Sequence, residues 1–178
     1  MIKDNQRWNI KKNGSMICFI LDWYCLDNGD LVKPIRFVSL DHVQRLCYLC
    51  DFNRFEETDE RSITGETYVH GDNGPVPIHF EETVKKLITF DKVRLFDSSH
   101  LSIEEHPLSK LAGSNISPYG RILSSEDEES IRKTLTLYGH ESEEAVETML
   151  KDDTPWLLSG YCQALDYGYA SFRMTKQI

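Results

Sequence analysis

One stretch decides the fold of this chain: LDHVQRLCYLCD, which runs from Leu40 to Asp51. Its main apolar side chains recur at helical spacing: Leu40, Val43, Cys47 and Cys50. Side chains at that spacing share one helical face, and Ser39 stands directly before them, where its hydroxyl can cap the first turn. The stretch therefore predicts a helix that runs from Leu40 to about Phe55 and buries an apolar stripe.

Further helical patterns lie on both sides of this stretch. They are Met16–Leu26 behind Ser15 as N-cap, a segment after Pro77 that begins near Phe80, a segment behind Ser125, a segment from Ser142 to Leu150, and a last one opened by Thr154-Pro155. Ser125 and Glu128 have the spacing of a capping box, and Gly139 is expected to end that helix. The last segment has its apolar residues on one predicted side: Trp156, Leu157, Tyr161 and Leu165.

Residues with β propensity occupy two regions between these helices. The first is Ile63–His70, followed by strong turn chemistry in Gly71–Pro75. The second is the pair Lys92–Phe96 and His100–Ile103, followed by a loop-like stretch from Pro107 to Leu123. The patterns together predict an α+β fold that is predominantly helical, with about five helices around one core and a small antiparallel β element. We expect a single domain over 15–170, with a polar tail at 1–14 and a C-terminal tail at 171–178.

Composition and charge exclude several classes of protein. The chain has 178 residues, of which 40% are hydrophobic and 28% charged, so it is not disordered or of low complexity. Its net charge of −9 argues against a general nucleic-acid binder and against attachment to an anionic membrane surface. The first residues lack the apolar segment of a secretory signal, and no stretch is apolar for long enough to span a bilayer. We therefore expect a cytoplasmic protein.

The negative charge is concentrated near the C-terminus. Between Ser124 and Asp153 ten carboxylates stand against three basic side chains, a net charge of −7. A solvated helical face with N-caps explains most such runs, while the alternative is a docking surface that steers a basic partner. On the second interpretation the candidate acidic docking face is Glu143, Glu144 and Glu147.

A CxxC motif and a histidine-rich segment are the candidates for chemistry. Cys47 and Cys50 lack the second cysteine pair that a zinc site normally needs, and they lie too far into their helix for a redox pair. Buried structural cysteines are the favoured interpretation. The segment from His100 to His106 has no spacing typical of metal ligands, and a solvated hairpin edge explains it. No catalytic residue, metal ligand or cofactor site is predicted.

Three short motifs and their order resemble a known family. They are the stretch Leu40–Asp51, then ITGETY at Ile63–Tyr68, then NGPVP at Asn73–Pro77; pieces near Ser125, Gly139, Ser142 and Trp156 match as well. This order resembles the Panacea domain of SocA-like antitoxins and phage-associated proteins, over about Met16 to Leu165. Arg45 replaces a usual Lys, and Cys47 and Cys50 replace aliphatic or Ala positions, in keeping with a core role.

The resemblance implies an antitoxin that neutralises a cognate toxin, encoded adjacently, by direct protein–protein binding. A proteolytic adaptor that delivers a partner to an ATP-dependent protease is the alternative, followed by an enzyme or metal-binding protein that uses the CxxC or the histidine-rich hairpin. The family-motif positions are expected to be scaffold or partner contacts: Leu46, Tyr48, Asp51, Thr64, Gly65, Glu66, Tyr68, Gly74, Pro75, Pro77 and Trp156.

Physical expectations accompany several of these positions. The Tyr48 ring can pack while its hydroxyl finds a partner, and Asp51 can pair with Arg54 three residues later on the same helix. Backbone conformation best explains Gly65 and Gly74. Pro75 and Pro77 are expected to fix the entry to the next helix, and Trp156 is expected to be a core anchor.

Overall fold

The computed structural model describes residues 7–25, 38–58, 61–90, 92–95, 99–103 and 122–173. Within these ranges the chain forms six α-helices, five strands and one 3₁₀ helix. The helices are α1 (Ile10–Cys25), α2 (Leu40–Thr58), α3 (Phe80–Thr89), α4 (Ser125–Tyr138), α5 (Glu143–Lys151) and α6 (Thr154–Leu157), and the 3₁₀ helix is Tyr167–Phe172. The strands are β1 (Val38–Ser39), β2 (Tyr68–Gly71), β3 (Gly74–Pro77), β4 (Val93–Leu95) and β5 (His100–Ile103).

Helix α2 is the centre of the fold. Twelve of its nineteen residues are buried, so the helix is enclosed on more sides than the predicted stripe. It contacts α1, α4, α5, β3 and the 3₁₀ helix. As predicted, Ser39 caps it, since the Ser39 hydroxyl accepts a hydrogen bond from the His42 amide at 3.1 Å. The stretch Leu40–Asp51 therefore supplies the element around which α1, α4, α5, β3 and the 3₁₀ helix pack.

Helix α1 begins earlier than predicted. Its first turn is capped by Asn9, whose side-chain oxygen accepts from the amides of Lys11 at 3.0 Å and Lys12 at 3.2 Å. The expected N-cap, Ser15, lies inside the helix and is buried. The prediction was wrong because the polar residues before Met16 form a helical turn of their own, stabilised by this cap.

Two small antiparallel sheets accompany the helices. Strands β2 and β3 form a hairpin in which Tyr68 pairs with Pro77 and His70 with Pro75. Strands β1, β5 and β4 form a three-stranded sheet with β5 in the middle. The two short strands predicted near residues 92–96 and 100–103 are thus confirmed, with β4 limited to Val93–Leu95.

Pro75 and Pro77 lie in a strand, which corrects the expectation that they fix a helix entry. Both are buried in β3, and α3 begins only at Phe80. Proline is tolerated there because β3 pairs with β2 alone among the described strands, so its other edge needs no amide donors. Gly74, the first residue of β3, has a positive φ of 126°.

The caps of the C-terminal helices differ from the sequence prediction by one residue at α4. Its capping box is formed by Ser124 and Asp127, whereas Ser125 and Glu128 were predicted. Ser124 and Ser125 are neighbours, so the sequence pattern fits either serine as the N-cap. The Asp127 carboxylate accepts a hydrogen bond from the Ser124 amide at 3.4 Å, which identifies Ser124 as the cap. At α5 the predicted cap is confirmed, since the Ser142 hydroxyl accepts from the Ala145 amide at 3.1 Å.

Packing, and not a left-handed backbone, explains the glycine at the end of α4, Gly139. Its φ of −67° is ordinary, so the left-handed conformation usual for a terminal glycine is absent. A Cβ at this position would lie 2.7 Å from the Trp23 ring and 2.6 Å from the Leu135 carbonyl oxygen. Glycine is therefore required because α1 and α4 approach each other closely here.

Helix α6 is a single turn, much shorter than predicted. It ends at Leu157, and the side chains of Leu157 and Tyr161 are more than half exposed, whereas Leu165 is buried. Trp156 is half-buried and stands outside the fully buried core, so the expectation of a core anchor was wrong. The predicted apolar side does not form because the helix ends at Leu157 and the chain then runs beside β2. Leu157 and Tyr161 are therefore left on the surface.

The fold class is confirmed as α+β and mainly helical, with the core formed around α2. None of the helices in the described ranges is long and apolar enough to cross a membrane. Most of the predicted loop from Pro107 to Leu123, and the histidine-rich segment beyond Ile103, lie outside the described residues.

Candidate functional site

The motif residues of α2 and of the segment before β2 meet in a buried polar cluster centred on Asp51. The Asp51 carboxylate accepts hydrogen bonds from the Thr64 amide at 2.9 Å, the Thr64 hydroxyl at 2.5 Å and the Tyr68 hydroxyl at 2.8 Å. Asp51 and Thr64 are completely buried, and Tyr68 is 1% exposed. Burial raises the pKa of Asp51 to about 6, which exceeds the opposing effect of its three donors.

The Thr-Gly-Glu segment is a turn, which corrects the prediction of a strand over Ile63–His70. Gly65 has φ +70°, a left-handed conformation that glycine adopts readily and that interrupts a strand. The Thr64, Gly65 and Glu66 amides donate to side-chain oxygens of Asp51, Ser62 and Thr64. Since side chains take up these donors, no partner strand is needed, and pairing begins only at Tyr68.

A second buried cluster surrounds Glu66, whose side chain is 1% exposed. Its carboxylate accepts from the Asn13 amide group at 2.8 Å and the Thr67 backbone amide at 2.8 Å, and contacts His79 Nδ1 at 2.7 Å. The Tyr167 hydroxyl donates to the Glu66 backbone carbonyl at 2.9 Å. Burial raises the pKa of the Glu66 carboxyl, and its hydrogen bond with His79 opposes that change. The cluster joins α1, the segment before β2, the start of α3 and the 3₁₀ helix.

A third cluster joins α2 to the C-terminal end of the described chain through Asp153. Its carboxylate accepts from the Tyr48 hydroxyl at 2.7 Å and from Arg173 Nε at 2.9 Å. Arg173 also donates to the Asn53 side chain at 2.7 Å, and its guanidinium lies over the Tyr48 ring at 5.3 Å. The expected partner of the Tyr48 hydroxyl is thus a carboxylate more than a hundred residues away.

The structure shows no pairing between Asp51 and Arg54. Asp51 is engaged with Thr64 and Tyr68, while Arg54 reaches Asp127 at 3.4 Å and Glu57 at 3.5 Å. Lys12 of α1 contacts the same Asp127 carboxylate at 2.9 Å. The local spacing was a poor guide because Asp51 points into the protein, whereas Arg54 faces α4.

The CxxC cysteines are buried among apolar side chains. Leu46, Cys47 and Cys50 are at most 1% exposed, and burial raises the pKa of both thiols well above the ordinary range. A thiol whose pKa is raised carries almost no thiolate at neutral pH and is a poor nucleophile or metal ligand. Within the described part of the chain, no three His, Cys, Asp or Glu side chains are grouped so as to hold a metal ion.

The predicted acidic docking face is only partly available. Glu143 and Glu144 are exposed in the first turn of α5. Glu147 is half-buried and already paired, with Arg45 at 2.8 Å and with Lys151 at 2.7 Å. Its charge is therefore compensated within the molecule, and the free acidic face consists of Glu143 and Glu144.

Trp156, the last motif residue, forms a surface feature with the hairpin. Its ring stacks on the His70 imidazole with ring centroids 4.0 Å apart and planes 24° from parallel. Sequence reasoning missed this stack and the roles of Asn13, His79, Asp153 and Arg173. A carboxylate next to a helix start, as at Asp153, normally indicates a cap, and nothing local in the sequence connects it to residue 173.

Taken together, the geometry defines a class: a small mainly helical domain whose motif residues hold the interior together and whose described surface presents carboxylates and apolar side chains. The comparison with protein families agrees, since the model of the SocA-like antitoxins, Panacea domain, matches residues 43–157, more than half of the chain. The chain therefore belongs to this family, which supports an antitoxin-like function and a protein partner. No curated protein and no solved structure matches the chain.

Proposed function

We propose that this protein is an antitoxin that neutralises a cognate toxin, encoded adjacently, by forming a direct complex with it in the cytoplasm. Membership in the SocA-like antitoxin family carries this proposal. The arrangement of the motif residues supports a binding role, because their polar atoms are bonded to one another inside the domain and are not directed toward a substrate. Carboxylates and apolar side chains remain exposed on the described surface, and such groups suit a protein partner.

The free carboxylates Glu143 and Glu144 are proposed to steer a basic partner during encounter. Charges at the rim of an interface mainly accelerate association, and their effect weakens as salt rises. Glu147 is not included in this role, because Arg45 and Lys151 already neutralise its charge.

The test is to express the product of the adjacent reading frame with and without this protein and to purify the two together. We expect growth arrest by that product alone, rescue on co-expression and a complex of the two chains. A harmless neighbouring product, or rescue without a complex, would contradict the proposal. The half-life of the toxin is measured in the same cells, since faster turnover would indicate a proteolytic adaptor, whereas unchanged turnover supports sequestration.

A charge-reversal pair tests the steering face. Glu143→Lys with Glu144→Lys is expected to slow association severalfold at low salt and to flatten its salt dependence. The control is Glu81→Lys with Glu82→Lys, a double reversal in the first turn of α3, where the two carboxylates are paired with Lys85 at 3.3 Å and Lys86 at 3.1 Å. Equal association rates for both variants would show that the α5 carboxylates are solvated surface charges and do not steer the partner.

A further inference from the structure

An apolar cluster lies on the surface at α6 and the loop that follows it. The α6 patch consists of Leu157, Leu158 and Tyr161, whose side chains are 58%, 61% and 63% exposed. Single exposed apolar residues are ordinary on a protein surface, but three large ones within five positions are not. The half-buried Trp156 borders them on the same turn of chain.

The backbone beneath this patch is fastened to the hairpin. The His70 amide donates to the Gln163 carbonyl, and the Cys162 amide donates to the His70 carbonyl, both at 2.9 Å. The Leu165 amide donates to the Tyr68 carbonyl at 2.8 Å, and the His70 ring is stacked on Trp156. The exposed side chains are therefore presented on an ordered backbone, which reduces the entropy lost when a partner binds.

Carboxylates of the described chain flank the patch, whose one basic neighbour in the ring contacts is the His70 imidazole. Asp72 lies in the turn that follows His70, whose ring centroid is 6.4 Å from that of Tyr161, and its charge raises the pKa of the Tyr161 hydroxyl. Asp152 and Asp166 are exposed on either side of the segment in sequence, and residues 152–172 contain no Lys, Arg or His. Two bases of α2 and α5, Arg45 and Lys151, are both bound to Glu147.

We infer that the α6 patch anchors the partner, and that it takes a basic amphipathic segment of that partner. This inference rests on the proposed function and adds the chemistry of the toxin surface that is recognised. Apolar side chains of such a segment would cover Leu157, Leu158 and Tyr161, while its Lys or Arg residues would meet the surrounding carboxylates. A second copy of this chain fits poorly, because it would bring like-charged rims together.

The first experiment measures binding of the purified adjacent-frame product to the wild-type protein and to two variants. Leu157→Ser with Leu158→Ser is expected to weaken binding about tenfold or more, as for the centre of an interface. The control, Leu95→Ser, removes an apolar side chain that is 48% exposed on the other sheet and should bind as wild type does. Equal affinity of all three proteins would overturn the inference while leaving the proposed function intact.

A charge variant tests the same inference independently, in case the serine variant fails to fold. Asp72→Lys with Asp152→Lys should reduce the affinity for the adjacent-frame product severalfold and weaken its salt dependence, whereas Glu81→Lys on α3 should not. An affinity unchanged by the two reversals would show that the carboxylates near the patch face no basic partner.

A second probe is independent of the toxin: an 18-residue amphipathic helical peptide of Leu and Lys, compared with the same peptide carrying Glu for Lys. The wild-type protein should bind the Lys peptide, and the serine variant should bind it at least about fivefold more weakly. If the Lys peptide binds in this way but the adjacent-frame product does not, the proposed function fails while the patch chemistry stands. A wild-type dimer in solution that the serine variant converts to monomer would identify a second copy as the occupant and refute the inference.

Discussion

The Arg173–Asp153 contact offers the most direct test of how the interior is held together. Replacing Arg173 with Met keeps much of the side-chain volume but removes the donors to Asp153 at 2.9 and 3.1 Å and to Asn53 at 2.7 Å. The Asp153 side chain, 5% exposed, would then keep the Tyr48 hydroxyl as its remaining side-chain donor.

The expected cost follows from leaving a buried charge without its partner. Removal of one member of a buried ion pair typically destabilises a protein by about 3 to 5 kcal/mol, against a total of about 5 to 15 kcal/mol. At about 2 to 4 °C for each kcal/mol in a chain of this size, the melting temperature should fall by roughly 6 to 20 °C.

Urea denaturation of the wild-type, Arg173→Met, Asp153→Asn and double variants measures this directly. The double variant should lose less stability than the two single variants added together, because the second substitution removes the charge that the first leaves unpaired. Arg61→Met, at an exposed position, is the control and should change stability by less than about 0.5 kcal/mol. A cost below about 1 kcal/mol for Arg173→Met, or strict additivity in the double variant, would refute the reasoning.

Three further outcomes are expected from the buried groups. Since the pKa of Asp51 is about 6 in the folded protein and 3.8 ordinarily, stability should fall as the pH rises from about 4 to 7, and Asp51→Asn should flatten that slope in pH-dependent urea titrations. Gly139→Ala places a Cβ 2.7 Å from the Trp23 ring and should cost about 1 to 3 kcal/mol by thermal unfolding; an unchanged melting temperature would contradict the packing argument. Among the described cysteines, the exposed Cys162 should react with a maleimide in the native protein, while buried Cys18, whose pKa is raised to about 12, should react only after unfolding, as mass spectrometry can show.

The helical framework could be predicted because its signals are local. The apolar spacing of α2 and the serines before α2 and α5 act within a few residues, and the structure places both caps where the sequence indicated. Ser15 misled the prediction of α1, because a buried serine inside a helix and a capping serine at its start look alike in sequence.

The buried polar clusters could not be predicted in the same way, because their partners are remote. Asp51 in a helix suggested a solvent-facing side chain that pairs with Arg54, yet its donors come from the turn at Thr64. The strand predicted over Ile63–His70 begins only at Tyr68, because the remote Asp51 carboxylate and the neighbouring Ser62 and Thr64 hydroxyls take up the amides of Thr64, Gly65 and Glu66. Likewise, Leu157 and Tyr161 have helical spacing, and only their tertiary surroundings reveal that they are exposed.

The remoteness of these contacts has a consequence for the timing of synthesis. Tyr48 and Asp153 are separated by 105 residues, Glu66 and Tyr167 by 101, and Asn53 and Arg173 by 120. At translation rates of about 5 to 20 residues per second, the ribosome needs roughly 6 to 24 seconds to add the last 120 of these residues. During that interval the Tyr48 hydroxyl and the Asn53 side chain of α2 lack their partners Asp153 and Arg173, so these contacts close only after nearly the whole described chain has been synthesised.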